Sequence, residues 1–172
     1  SPEVLAGGAG DGLRCLSADG KPAWTLRLKG SPLPLALLGT GEESRIVFAR
    51  GSSFIGVART PRVLWRATAM GPLLAPPVVA RLRDGRQVVV QNGDWGEAAS
   101  LRAFDACTGD VLWSAARSSP PNFPAAVADL DRDGEDEVVA WMQSALRDSM
   151  ELQILAARDG AGRALRWRSD GR

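Results

Sequence analysis

Short apolar runs, each broken by a polar turn, recur along the whole chain. Residues 13–24, 53–65, 101–113 and 152–167 each pass from one strand-like run through a turn to a second run that carries a Trp. The turns are Asp19-Gly20, Thr60-Pro61, Thr108-Gly109 and Asp159-Gly160, residue types that tight hairpins select or nearly so. Trp24, Trp65, Trp113 and Trp167 stand 41, 48 and 54 residues apart. Units of about 40–50 residues with four strands each mark a β-propeller. The expected fold is all-β, with about four four-stranded blades at approximately 1–30 (partial), 31–70, 71–117 and 118–172. The repeated Trp is expected to wedge between neighbouring blades, as a large flat ring does.

The first half of each unit repeats less faithfully. Residues 35–48, 78–90 and 126–141 share a strand–turn–strand form, but only the last has an ordered array of acids. There Asp129, Asp131, Asp133 and Glu137 put carboxylates at positions 1, 3, 5 and 9, and Gly134 at position 6 allows the sharp turn that lets Glu135 at position 7 offer its backbone carbonyl. Alternate carboxylates on a tightly turning backbone converge on one point. They repel each other unless a hard cation sits among them, and Ca²⁺ takes six to eight oxygens at about 2.3–2.6 Å. An EF-hand is the rival reading, but it needs a Glu at position 12, where Ala140 stands, and flanking helices, where short apolar strands stand. A plain acidic surface turn is the other. In the 78–90 unit Arg81 replaces Asp129 and only Asp84 survives; the 35–48 unit offers Glu42 and Glu43. One Ca²⁺ site is expected, beside two degenerate loops.

The strand, the DxDxDGxxE loop and the second strand resemble the FG-GAP/VCBS-type repeat of integrin-α-like propellers. The 105–113 stretch, Asp-Ala-Cys-Thr-Gly-Asp-Val-Leu-Trp, resembles the Trp-bearing repeat of quinoprotein-type propellers. The first resemblance implies a non-enzymatic, calcium-binding adhesion or binding module in a secreted or cell-surface protein. The alternatives are a scaffold subunit of a larger assembly, or part of a quinoprotein dehydrogenase or polysaccharide lyase.

Composition narrows the chemistry. The chain has 172 residues, a net charge of +1 and no His or Tyr. Without His, Ser-His and Cys-His catalysis and most zinc sites are excluded. No basic block suggests nucleic acid, and no apolar run approaches the roughly 18 residues of a membrane span. Cys15 and Cys107 fall in alternate blades, too far apart for a disulfide.

Long loops on a rigid scaffold are where ligands tend to bind. Residues 91–100, 117–124 and 142–149 form such loops on the face opposite the acidic loop. Asn92, Asp94, Trp95, Asn122 and Phe123 are the candidate contacts for a protein partner or glycan, although Trp95 can equally fold back over its blade and Phe123 can plug the core. The start at Ser1-Pro2 without Met suggests a processed or excised piece. The first blade is one strand short, so the remaining blades are expected from the same chain or another subunit.

Overall fold

A computed structural model describes residues 4–8, 12–27, 35–38, 45–58, 62–71, 73, 75–95, 99–116, 124–143 and 149–168. Its elements are all strands, in four antiparallel sheets. The first sheet holds β1 (Val4–Gly8), β2 (Gly12–Leu16) and β3 (Pro22–Leu26). The second holds β4 (Leu35–Leu38), β5 (Arg45–Arg50), β6 (Ser53–Ala58) and β7 (Val63–Thr68). The third holds β8 (Val78–Arg81), β9 (Gln87–Asn92), β10 (Ala99–Asp105) and β11 (Val111–Ala116). The fourth holds β12 (Ala126–Ala128), β13 (Glu137–Gln143), β14 (Ser149–Ala156) and β15 (Gly162–Arg168). Strands neighbour one another in chain order within each sheet. These are the up-and-down blades of a β-propeller, and β8 lies beside both β4 and β12.

Period-two patterning sends alternate side chains to opposite faces of each blade, and in the second and third blades both faces are apolar because each meets a neighbour. Ile46, Phe48, Ile55 and Val57 face the first blade, where Leu13 joins them. Val47, Ala49, Phe54 and Trp65 face the third blade, against Val89, Phe104 and Ala106. Val88, Val90, Leu101, Ala103 and Trp113 meet Val138, Ala140, Leu155 and Ala157 of the fourth.

The Trp does more than fill space. One residue before Trp24, Trp65 and Trp113 the strand bulges: Cys15 pairs with Trp24 and Leu16 with Pro22, Gly56 with Trp65 and Val57 with Val63, Ala103 with Trp113 and Phe104 with Val111. A bulge re-aims the side chain that follows it. Trp65 Nε1 then donates to the Ala106 carbonyl at 3.2 Å, and Trp113 Nε1 to the Ala157 carbonyl at 2.7 Å, each in the hairpin of the next blade. The rings lie over Gly109 and Gly160, where a Cβ would stand 2.6 Å from Trp65 and 2.8 Å from Trp113. Both glycines also have positive φ, +77° and +71°, so two demands meet on one residue.

The fourth hairpin departs from the expected repeat. Ala156 N–H donates to the Ala161 carbonyl, as Asp105 N–H does to that of Asp110. Three residues on from Asp110 is Trp113, but three residues on from Ala161 is Ala164. β14 and β15 pair without a bulge, and Trp167 pairs with Met150. The expectation that Trp167 continues the repeat is therefore corrected: its spacing of 54 carries it past the position.

Candidate metal loop and loop face

The acidic loop joins β12 to β13, at the same end of the blades as the β8–β9, β10–β11 and β14–β15 turns. The pairing of Val78 with Val90 and of Ala126 with Val139 puts Arg81 of the third blade at the place of Asp129 in the fourth. From there the fourth blade takes one residue more to reach its second strand. The backbone turns through Arg132 at φ +64° and Gly134 at φ +88°. An L-residue rarely adopts this left-handed region, so Arg132 is held there by the loop around it.

Loop amides close on the carboxylates. Asp133 N–H donates to Asp129 Oδ1 and Asp131 Oδ1, each at 3.1 Å, and Gly134 N–H donates to Asp129 Oδ2 at 3.1 Å. Leu130 N–H donates to Glu137 Oε2 at 2.7 Å. These bonds bring one oxygen each of Asp129, Asp131 and Glu137 within 4.8 Å of one another. A carboxylate oxygen has two lone pairs, so one amide bond leaves room for an ion. The donor set suits a hard cation.

Asp133 and Glu135 stand outside that trio. Asp133 Oδ1 accepts from Glu135 N–H at 2.8 Å, and Asp133 Oδ2 is bonded to the guanidinium of Arg83 in the third blade. Glu135 is 5% exposed, and its Oε1 lies 3.5 Å from Arg158 Nε without a hydrogen bond. Asp136 ties the same two blades together. Its N–H donates to the Arg81 carbonyl at 2.9 Å, while Arg81 N–H donates to its Oδ2 at 2.6 Å.

In the third blade the corresponding turn closes on itself. Leu82 N–H donates to the Arg86 carbonyl, and Asp84 accepts from Arg86 N–H at 3.0 Å and Nε at 2.7 Å. That side-chain bond to Arg86, ahead of the backbone one, holds the Asp84 carboxyl below the usual range. Glu42 and Glu43 of the other degenerate loop lie outside the described residues.

On the opposite face, Trp95 is core. It is 6% exposed, its Nε1 donates to the Gln91 carbonyl at 3.2 Å, and it packs edge-on to Phe54 and Phe104. The Arg102 guanidinium lies 5.2 Å from its ring centre. Trp95 therefore leaves the candidate contact face: a ring beneath the blade seam has no surface to stack on a sugar. Asn92 is buried as well, and Asp94 is exposed. Asn122 and Phe123 lie outside the described residues. Cys15 is buried, Cys107 is exposed, and no disulfide joins them. Among the described residues no helix is long and apolar enough to cross a membrane.

A family model described as outer membrane protein assembly factor BamB matches residues 9–169. No curated protein sequence matches the chain. Among solved structures, hydrazine synthase of Kuenenia stuttgartiensis superposes with a TM-score of 0.63 at 11% identity, over 91% of this chain and 43% of that one. BamB from Moraxella catarrhalis superposes with a TM-score of 0.60 at 14% identity, over 95% of this chain and 60% of that one. The chain thus spans less than two thirds of either. At these identities the likeness shows the fold, a β-propeller. The resemblance to FG-GAP and integrin-α repeats is overturned by the family match, which is to a quinoprotein-type repeat. The acidic loop misled because it is a local graft on one blade. The clasp of Trp on turn glycine, by contrast, recurs at two blade seams.

Proposed function

The chain belongs to the family described as outer membrane protein assembly factor BamB, and from that premise we propose a non-enzymatic, protein-binding propeller segment that works within a larger assembly. The family match over residues 9–169 carries the reading. The face bearing the β5–β6 turn and the β9–β10 loop suits the role, because the connection between blades braces it. Ala69 N–H donates to the Ser52 carbonyl and Leu73 N–H to that of Gly51, both at 2.7 Å, and Met70 N–H donates to that of Asp94 at 2.6 Å. Met70, 77% exposed, and Asp94 stand on this braced backbone, which keeps the ordering cost of binding low. A photo-crosslinking residue at position 94 should join the chain to another subunit of its assembly, and one at position 107, on the opposite face, should not. No product from either position would remove protein binding from the account.

The reading includes Ca²⁺ at Asp129, Asp131 and Glu137, where it would stiffen the β12–β13 loop. The affinity expected of an extracellular-type site is weak, on the order of 10⁻⁴–10⁻³ M. Such a loop fills only where calcium is plentiful, so the reading extends to an extracellular or cell-surface location. Isothermal titration with CaCl₂ should show one site, abolished by Asp131→Ala. No heat, or several equivalent sites, contradicts it.

The reading also includes further blades, from the same polypeptide or another subunit. Trp141, Val139, Leu152 and Ile154 lie in register with Ala49, Val47, Phe54 and Gly56, which are buried beneath the third blade. On the fourth blade these positions are only half-buried, and Trp141 is 39% exposed. Sedimentation of the 172-residue chain should show self-association that Trp141→Arg weakens; a stable monomer contradicts the reading.

A further inference from the structure

We infer that the hairpin of the first blade is the receiving half of a Trp clasp, and that it takes the indole of a Trp-bearing β-strand in a further blade. This rests on the reading above that further blades exist, and it names what one of them carries. Each clasp within the chain lands on three features of the hairpin that receives it. Phe104 and Leu155 form an apolar floor: Phe104 stacks on Trp65 at 6.2 Å between ring centres, and Leu155 packs in one cluster with Trp113. Ala106 and Ala157 offer the carbonyls that the two indoles reach. Gly109 and Gly160 leave room for the rings. Register puts the same three features in the first blade. Cys15 pairs with Trp24 as Ala103 pairs with Trp113, so Leu16 stands where Phe104 stands. Ala18 comes two residues later, as Ala106 does. Gly20 precedes Lys21, whose carbonyl closes the turn, as Gly109 precedes Asp110.

The cover is what differs. Phe104 and Leu155 are 0% and 5% exposed, and Ala106 and Ala157 are 2% and 0% exposed. Leu16 is only half-buried, and Ala18 is exposed. A Cβ added at Gly20 would meet nothing within 4 Å. Closing a hairpin does not by itself call for this pattern. The turn from Ala58 to Arg62 has the same span as the turn from Ser17 to Lys21, and it closes with a bond of 3.0 Å. Its sequence is Arg59-Thr60-Pro61, with neither the Ala nor the Gly. The first turn is also held ready. Ser17 Oγ donates to Asp19 Oδ1 at 2.6 Å, and Lys21 Nζ lies 3.0 Å from Asp19 Oδ2, so binding there costs little ordering. The fourth blade of a second copy does not supply the ring. There Arg163 pairs with Ile154, at the place where Trp113 pairs with Ala103.

The test is a titration of the 172-residue chain with N-acetyl-tryptophanamide, followed by nuclear magnetic resonance beside the same probe methylated at the indole nitrogen. The amides of Leu16, Ala18 and Gly20 should shift and saturate. Methylation deletes the N–H donor, so affinity should fall about three- to tenfold. Gly20→Asn keeps a residue that accepts positive φ but puts a Cβ under the ring, and it should abolish the shifts. If circular dichroism shows that Gly20→Asn misfolds, Leu16→Ser carries the same expectation through loss of the floor. Unmoved amides, equal affinity for the two probes, or shifts that survive both variants overturn the inference. The two failures are separate: a stable monomer in sedimentation strikes the further blades, and an unmoved first hairpin strikes only the clasp.

Discussion

Trp113 and Trp167 follow the third and fourth hairpins of the chain, yet only Trp113 follows a bulge, and its ring reaches the blade beyond. The same two blades differ at their other turn. The third closes over a short self-bonded turn around Asp84, while the fourth carries six carboxylates from Asp129 to Glu137. One blade keeps the clasp and has a plain turn; the other loses the clasp register and gains an acidic loop. The comparison separates two kinds of sequence signal. A feature repeated between blades reports on how blades are joined, and a feature found once reports on what a single blade adds.

The largest test of that division is removal of the clasp. Trp113→Ala and Trp65→Ala should each destabilise by about 3–5 kcal/mol in denaturant unfolding, since each leaves a large cavity at a seam. Trp95→Ala should lose a similar amount, although Trp95 lies outside the repeat, because its ring is equally buried among Phe54 and Phe104. A small loss at Trp95 would restore it to the surface and undo its assignment to the core.

Glycine substitutions sharpen the comparison. Gly85→Ala and Gly134→Ala place a Cβ in open space at positive φ, so each should cost only the left-handed penalty of about 1–2 kcal/mol. Gly109→Ala and Gly160→Ala bear the same penalty and also drive a Cβ into a Trp ring, so each should unfold at distinctly lower denaturant than the first pair. Equal midpoints for the two pairs would mean that the rings do not rest on these turns.

The smallest effect concerns the plain turn. The Asp84 carboxyl is held below its ordinary range chiefly by the Arg86 side chain. A depressed carboxylate contributes stability above its unfolded pKa and loses it as pH falls through the folded value. Asp84→Asn should therefore lower Tm slightly near neutrality and leave it unchanged in strong acid. The group is fully exposed and screened, so a large shift would show that the turn does more than close a hairpin.

Much of the fold was legible in the chain. Turns at 19–20, 60–61, 108–109 and 159–160, each followed by Trp, give the blade period, and at Trp24, Trp65 and Trp113 the register as well. The bulge before each Trp was not legible, because no residue type marks it. For the same reason Trp167 was misread: the letter was right and the register was not. The acidic array was plain in sequence, but the diversion of Asp133 to Arg83 depends on a residue 50 positions away. The loop's likeness to FG-GAP repeats misleads, because a motif on one blade says less about the family than a repeat that runs through the chain. Trp95 in a polar, glycine-rich stretch reads equally as a contact or as a ring folded back over its blade; its packing on Phe54 and Phe104 decides for the core.

The account's central claim is that each clasping Trp is bonded into the next blade, and indole hydrogen exchange followed by nuclear magnetic resonance tests it most directly. The Nε1–H groups of Trp65 and Trp113 should exchange slowly, since both are buried and donate to the carbonyls of Ala106 and Ala157. The indole N–H of the exposed Trp141 should exchange at once. Exchange at Trp113 as fast as at Trp141 would contradict the clasp and the blade seam built on it.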